Sequence, residues 1–319
     1  MNALKPVQVT LIILAFIVII LLILLLIRFR NGIRTAKKRL ERIDTQTTQT
    51  PCGEIEYATH GDGAPILVVH GIFGGYDQGL VLAKGQIGDN FHAIIPSRFG
   101  YLGSTMPEDP SPADQADAFA CLLDELGIEK AAILGTSAGG TSAIQFALRH
   151  PDRCSGLILV SSNAPGEVEV GLPPKPLANL LFRSNFAFWL MTTYFPSSMY
   201  GIMGVPADYE ISPQEEAEMS AVMDTLLPVK PRAEGALFDM YISNPAINEG
   251  IPLEDISVPA LLIHALDDPL ADYENVKAMA QNIPGAELVT IPQGGHPLLG
   301  HEEQIRAKIE QFMSGTISQ

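Results

Sequence analysis

Residues 131–139 read AAILGTSAG, an apolar run that leads directly into a Gly-x-Ser-x-Gly motif centred on Ser137. The run is typical of a strand buried on both faces of a parallel sheet, and the residues after it, closed by Pro151, have the spacing of a helix. A serine on so sharp a turn has a strained backbone and needs small neighbours, which accounts for Gly135 and Gly139. The motif therefore predicts a nucleophilic hydroxyl at the end of a buried strand.

Candidates for the other catalytic groups come later in the chain. A serine hydroxyl is a weak nucleophile at neutral pH and needs a base within hydrogen-bond reach, which a carboxylate must orient. Asp267 and Asp268 follow a strand-like run at the edge where open α/β sheets bind ligands. His296 lies on a glycine-rich loop after the next run, whereas the competing His301 opens the final helix. We expect Ser137 to be the nucleophile and His296 the general base, with one of the two aspartates as the orienting acid.

A further glycine-rich segment, HGIFGG at residues 70–75, follows another apolar run. Small residues there allow backbone N–H groups to approach the carbonyl of a substrate. We expect the N–H groups of Ile72 and Ala138 to form an oxyanion hole, which stabilises the charge that develops on the carbonyl oxygen. We expect His70, beside Gly71, to order this loop rather than to transfer protons.

Strand-like and helix-like runs alternate along most of the chain. The predicted strands are Glu54–Thr59, Ile66–Val69, His92–Ile95, Ala131–Leu134, Gly156–Val160, Leu261–His264 and Leu288–Ile291. The predicted helices are Pro112–Leu126, Ala138–Arg149, Tyr273–Asn282 and Glu302–Phe312. Alternation of this length indicates an α/β fold with a mostly parallel sheet.

One region, residues 165–250, interrupts this alternation and is rich in proline, aromatic residues and methionine. Most of its apolar side chains are expected to form the core of an ordinary helical subdomain. Because the region lies between two strands of the predicted sheet, it is also a candidate lid over the site.

The N-terminal segment is the most apolar part of the chain. Every residue from Leu11 to Ile27 is apolar, and the uncharged stretch 6–27 would span about 30 Å as a helix. A cleaved signal peptide is the alternative, but its apolar region is usually shorter and its positive charges precede it. Here the basic residues follow the apolar run, which predicts an anchor that leaves the rest of the chain in the cytoplasm.

These features divide the chain into three predicted parts. Residues 1–44 form a transmembrane anchor with its basic flank, residues 45–51 a flexible polar stalk, and residues 52–319 the folded domain with its inserted cap. The anchor would bind the membrane directly.

Charge and cysteine content exclude several functions. The net charge is −16, and residues 1–44 hold 8 of the 20 lysines and arginines but only 2 of the 36 aspartates and glutamates. A body that acidic repels nucleic acids, so we expect no nucleic-acid partner. Cys52, Cys121 and Cys154 are widely spaced without a C-x-x-C motif, which predicts unpaired packing cysteines and no zinc site. We expect neither a metal nor a cofactor.

Taken together, these motifs resemble the α/β-hydrolase superfamily of bacterial and archaeal type. The matching residues are His70-Gly71 with Gly74-Gly75, the segment Arg98–Ser104, the turn at Ser137, Asp267-Asp268-Pro269 and Gly294-Gly295-His296. The resemblance implies an eight-stranded, mostly parallel sheet with a cap inserted after the sixth strand. It also implies an acid three positions after a small residue; counted from Ala265, where the family usually has glycine, this favours Asp268 and leaves Asp267 as the alternative.

Members of this superfamily catalyse many reactions, so the fold does not decide the substrate. Dehalogenases and epoxide hydrolases of the fold use an aspartate nucleophile, and Ser137 argues against both. We expect a carboxylesterase or small lipase for lipophilic small molecules, acting through an acyl-enzyme. The alternatives are hydrolysis of a carbon–carbon bond or an N-terminal amide on the same triad, and a catalytically silent binding protein.

Overall fold

The computed structural model describes residues 5–166 and 172–317, which build one eight-stranded sheet with helices on both faces. The strands are β1 (Thr45–Thr50), β2 (Gly53–His60), β3 (Ala64–Val69), β4 (Phe91–Pro96), β5 (Ala131–Thr136), β6 (Cys154–Val160), β7 (Ala260–Ala265) and β8 (Glu287–Ile291). Their spatial order is β1-β2-β4-β3-β5-β6-β7-β8. All seven predicted strands are confirmed, each extended by one or two residues.

The strand directions place one set of loops at a common edge. β1 and β2 pair antiparallel, β2 pairs antiparallel with β4, and every pair from β4 to β8 is parallel. Parallel strands end at the same edge, so the loops after β3, β5, β7 and β8 emerge side by side. Alternate residues of β3 belong to two apolar clusters, Leu67 and Val69 to one and Ile66 and Val68 to the other, because the sheet is covered on both faces.

Apart from the N-terminal helix, the helices lie either beside the sheet or in the cap. Those beside the sheet are α2 (Tyr76–Leu82), α3 (Pro112–Glu125), α4 (Gly140–Arg149), α11 (Tyr273–Asn282) and α12 (Glu302–Ile317). The cap contains α5 (Lys175–Phe182), α6 (Asn185–Tyr194), α7 (Pro196–Ile202), α8 (Pro213–Thr225), α9 (Ala233–Phe238) and α10 (Asn244–Ala246). It lies between β6 and β7, as the resemblance implies; residues 167–171 of the predicted cap lie outside the described residues.

The N-terminal helix α1 (Pro6–Leu40) is continuous from the apolar stretch through the basic flank. Among the described residues it is the one helix long and apolar enough to cross a membrane, and no residue of its most apolar window is buried. Its C-terminal part packs against the cap: the ring of Phe29 lies 5.3 Å from that of Phe186 and 5.5 Å from that of Trp189. Ala36 is buried in the same contact.

The predicted flexible stalk is wrong, because Thr45–Thr50 forms strand β1. It pairs with β2 along its whole length, from Thr45 opposite Ala58 to Thr50 opposite Gly53. β-branched threonine favours strands, and an edge strand with a solvent-exposed face needs no apolar periodicity. This strand supplies the eighth member of the sheet.

The prediction of three unpaired cysteines is also wrong. Cys52 and Cys121 form a disulfide with their Cα atoms 6.3 Å apart, although they are separated by 69 residues in the sequence. Packing of α3 against β1 brings them together, and spacing alone does not indicate such a pair. Cys154 remains free, and its burial raises the pKa of the thiol to about 12, so it is an inert packing residue.

Candidate active site

The turn between β5 and α4 has the strained backbone that the motif predicts. Ser137 adopts a φ of 50°, in the left-handed region that non-glycine residues rarely occupy. A Cβ atom at Gly135 would lie 2.7 Å from the Cβ of Ala143, and one at Gly139 would lie 2.7 Å from the carbonyl oxygen of His70. The two glycines therefore allow α4 and the neighbouring loop to approach the serine closely.

Three side chains from different loops meet at this turn. The hydroxyl of Ser137 lies 2.8 Å from Nε2 of His296, and Nδ1 of His296 lies 2.8 Å from Oδ2 of Asp268. The imidazole can therefore accept the serine proton at Nε2 while it donates its Nδ1 proton to the carboxylate. The residues are separated by 159 and 28 positions in sequence, and the common edge of the sheet brings them together.

The two adjacent aspartates have different partners. Asp268 contacts His296, whereas the carboxylate of Asp267 accepts hydrogen bonds from the N–H groups of Gly294 and Gly295 at 3.1 and 2.9 Å. Asp268 has the geometry of the orienting acid, and Asp267 fixes the loop that carries the histidine.

Several groups keep Asp268 ionised. Burial alone would raise the pKa of its carboxyl, but the hydrogen bond and charge of His296, followed by the nearby His264, lower it below the ordinary value. The N–H groups of Leu270 and Ala271 donate to its other oxygen at 2.8 and 3.1 Å. The buried His264, whose Nε2 lies 3.3 Å from the carboxylate, was not anticipated from the sequence.

Both ring nitrogens of His70 make hydrogen bonds to the backbone beside the loop after β3. Nε2 of His70 accepts a hydrogen bond from the N–H of Arg98 at 3.0 Å, so its proton is on Nδ1, which donates to the carbonyl oxygen of Gly71 at 2.7 Å. Burial and then the charge of Arg98 lower the pKa of His70 well below its ordinary value, which keeps the ring neutral. The side chain of Gln78 accepts from the N–H of Gly71 at 3.0 Å.

Both predicted oxyanion donors belong to segments next to the serine. A Cβ atom at Gly71 would lie 3.2 Å from the Cβ of Ser137, so the loop passes directly beside it, and Ile72 follows at the wall of the adjoining cavity. Ala138 is buried in the short turn that begins with the serine.

Sequence reasoning missed two buried ion pairs between the cap and the body. Arg98 contacts Asp239 through both guanidinium Nη atoms at 2.5 Å, and both side chains are fully buried. The partners are 141 residues apart, and no local sequence pattern marks them as a pair. Tyr101 also donates its hydroxyl proton to Asp239.

The second ion pair reaches the N-terminal helix. Arg232 of the cap contacts Asp77 of α2 at 2.8 and 2.9 Å and donates to the carbonyl oxygen of Gly74. Arg39 of α1 contacts the same carboxylate at 2.7 Å and the carbonyl oxygen of Leu227 at 3.0 Å. The end of α1 is therefore joined to the loop that follows β3.

A cavity of about 410 Å³ adjoins the serine and the histidine. Its other walls are mainly apolar cap side chains, among them Phe188, Met191 and Met199. Among the described residues that line it, none is a lysine, arginine, aspartate or glutamate. The site therefore combines a polar reaction centre with an apolar binding space.

Within the described part of the chain, no group of three His, Cys, Asp or Glu side chains could hold a metal ion.

Comparison with known proteins agrees with this architecture. Residues 66–308 match the family model described as the alpha/beta hydrolase family. The chain is 30% identical over 267 residues to an uncharacterized hydrolase, YcgS, of Bacillus subtilis (strain 168), covering 78% of this chain and 91% of that protein. It is 27% identical over 265 residues to 2-hydroxymuconate semialdehyde hydrolase of Pseudomonas putida, covering 80% of this chain and 88% of that one.

A solved structure extends the comparison. A thermophilic esterase from Thermogutta terrifontis superposes with a TM-score of 0.63 at 25% identity, covering 86% of this chain and 99% of the esterase. The chain belongs to the α/β-hydrolase family.

Proposed function

We propose that this α/β hydrolase is a serine hydrolase that cleaves carboxylic esters with apolar acyl groups through an acyl-enzyme, with Ser137, His296 and Asp268 as its triad. The observation that carries the proposal is the chain of two 2.8 Å contacts linking these side chains beside an apolar cavity. The similarity to an esterase of known structure supports the ester as the scissile group.

In the acylation step, Oγ of Ser137 attacks the ester carbonyl and passes its proton to Nε2 of His296. The N–H groups of Ile72 and Ala138 hold the oxyanion of the tetrahedral intermediate. The intermediate collapses when the bond to the alcohol oxygen breaks, and the imidazolium gives its proton to that oxygen. Asp268 stabilises the imidazolium throughout by accepting the Nδ1 proton in a hydrogen bond.

Deacylation repeats these steps with water. A water molecule loses a proton to His296 and attacks the acyl carbonyl, the oxyanion forms again, and the bond to Ser137 breaks. The serine recovers its proton from the imidazolium, and the carboxylic acid leaves. No oxidant, reductant or further reactant is needed.

The cavity favours esters over the substrate named for the hydroxymuconate relative. That name describes a semialdehyde of an acidic molecule, whereas no lysine or arginine is found among the described residues around this cavity. An apolar acyl chain needs no such partner and gains free energy from burial, at about 25 cal/mol per Å² of apolar surface.

We further propose that α1 anchors the enzyme in a membrane. The uncharged stretch up to Ile27 is long enough to cross a bilayer, and the basic residues that follow favour a cytoplasmic hydrolase domain. The Cys52–Cys121 disulfide argues the other way, because such bonds persist in oxidising compartments. Maleimide labelling under denaturing conditions, after rapid acid quenching of the cells, distinguishes the two. On the cytoplasmic side Cys52 and Cys121 are reduced and react together with Cys154, whereas in an oxidising compartment only Cys154 reacts.

Fluorophosphonate labelling and turnover of p-nitrophenyl esters of graded chain length test the proposed reaction. Wild-type protein should be labelled, and Ser137→Ala should lose labelling and reduce turnover by about 10⁴-fold or more. The matched control, Ser197→Ala, changes an exposed cap serine and should leave both intact. An unlabelled wild type would favour a silent binding protein, and labelling with activity only on diketones or aminoacyl amides would favour the other hydrolytic reactions.

A further inference from the structure

Part of the cap surface is exposed and apolar, whereas the rest of the body is mostly acidic. Outside α1, the exposed large apolar side chains of the described residues belong to the cap, apart from Leu266 and Leu270 after β7. We define the apolar cap face by four of them on α6, α7 and the junction between these helices: Phe186, Tyr194, Phe195 and Ile202, which are 40%, 40%, 53% and 58% exposed. A surface of this kind marks an interaction site.

This face is continuous with α1. Phe186 stacks edge-on against Phe29, and the guanidinium of Arg28 lies 5.6 Å from the ring centre of Tyr194. The contact reaches Leu25, which belongs to the uncharged stretch of α1 and packs against the same cluster as Trp189. If the uncharged stretch lies in a bilayer, α6 must therefore lie at the level of the headgroups, where tyrosine and tryptophan are favoured.

Charge separates this face from the rest of the body. Residues 184–207 contain no Asp, Glu, Lys or Arg, whereas residues 45–319 hold 34 of the 36 acidic side chains and 12 of the 20 basic ones. An anionic membrane surface repels such a body but attracts the basic flank of α1. The uncharged face can approach the headgroups without removing a charge from water.

The cavity opens on this same side. Ile202 is exposed and also lines the cavity. Leu181 and Leu270, each 38% exposed, do the same. The rim of the opening is therefore apolar where the apolar cap face ends.

We infer that the apolar cap face lies on the bilayer to which α1 belongs, so that a lipophilic ester enters the cavity from the lipid phase without crossing water. This inference rests on the proposed anchor and deepens the proposed function: it names membrane-dissolved esters as the substrate class. The occupant of the face is the bilayer, since the face is continuous with the helix that would cross it.

A depth measurement tests the contact without any use of activity. The full chain is reconstituted in vesicles of phosphatidylcholine and phosphatidylglycerol, with a polarity-sensitive fluorophore on Phe195→Cys. The matched control is Lys130→Cys, which is exposed and immediately precedes β5, at the opposite edge of the sheet from Ser137. Selective labelling is possible on protein purified with the Cys52–Cys121 disulfide formed, because Cys154 is buried.

The probe at position 195 should be quenched several-fold more by lipids with spin-labelled acyl chains than the probe at position 130. Equal quenching at both positions would overturn the inference. A blue-shifted probe at position 195 that lipid quenchers do not reach, and that depends on the protein-to-lipid ratio, would also overturn it, because a second copy of the chain would then cover the face.

A second test compares the turnover of two esters. Phe195 does not line the cavity, so Phe195→Glu should keep turnover of a water-soluble short-chain ester and lose about tenfold or more with a long-chain ester dissolved in the vesicles, because a charge opposes the lipid contact. Lys130→Glu should change neither activity. Equal effects on both substrates would contradict the inference, whereas an inactive wild type whose probe at position 195 is still quenched would contradict only the proposed reaction.

Discussion

The carboxyl edge of the sheet and the cap above it contribute to one site by different physical means. At the edge, short loops follow neighbouring strands, and the sheet itself sets where Ser137 and His296 lie. In the cap, irregular helices present apolar side chains and are held to the body by fully buried ion pairs such as Arg98–Asp239. Substitutions at the edge should therefore lower the rate with little effect on stability. Substitutions in the buried ion pairs of the cap should lower stability with little effect on the rate.

The largest effect expected at the edge comes from Asp268→Asn. An amide in place of the acceptor of the Nδ1 proton favours the wrong tautomer of His296, so turnover should fall by about 10⁴-fold with little change in the unfolding temperature. Steady-state kinetics and thermal unfolding of the same preparation measure both quantities.

Asp267→Asn is the matched control for that variant. It weakens the hydrogen bonds to the N–H groups of Gly294 and Gly295 but leaves the contact with His296 in place. Its loss of turnover should be at least about 100-fold smaller than that of the Asp268 variant, in line with a role in loop position alone. A larger loss for Asp267→Asn than for Asp268→Asn would reverse the assignment of the acid.

For the cap, the largest expected effect is on stability. Arg98→Met leaves the carboxylate of Asp239 buried without its cationic partner, which should cost about 3–5 kcal/mol of unfolding free energy. The double variant Arg98→Met with Asp239→Leu removes both charges and should recover much of that loss. Denaturant unfolding measures both, and a double variant no more stable than Arg98→Met would show that the contact stabilises the fold by more than charge balance.

The same contrast explains what could be predicted from the sequence. Seven of the eight strands, the turn at Ser137 and the order of the candidate acid and base follow from local patterns, because each candidate residue lies within a few positions of a strand end. The resemblance favoured Asp268 but left Asp267 open, since side-chain direction on a loop has no sequence period. The coordinates add that the two carboxylates have different partners.

The missed features have other causes. The Cys52–Cys121 disulfide and the Arg98–Asp239 pair join residues far apart in sequence, and nothing local marks the partners. Strand β1 was missed because an edge strand of polar residues has no apolar alternation to detect. Tertiary proximity therefore decides the first two features, and the polar composition of an edge strand accounts for the third.

A smaller effect is expected where α1 meets the body. Arg39→Met removes a charged hydrogen bond to Asp77, which keeps its second partner, Arg232, so the expected loss is about 1–2 kcal/mol. Trp189 is the single tryptophan of the chain and lies in the α1–cap contact, so its fluorescence in detergent reports the unfolding. Arg30→Met, on an exposed face of the same helix, is the control; an equal loss in both variants would mean that the ion pair contributes nothing specific.

The smallest effect concerns the pH dependence of the contact between cap and body. Burial, and then Glu218 and Glu215 of α8, raise the pKa of Glu302 at the start of α12 from 4.5 to about 7. Between these values the folded state binds more protons than the unfolded state, so stability should fall as the pH rises from about 4.5 to about 7. Because Glu302 is only half-buried, solvent screening limits the effect to about 1 kcal/mol. Glu302→Gln should remove this slope and raise the urea midpoint at pH 8 but not at pH 4, and an unchanged slope would assign the pH dependence to another group.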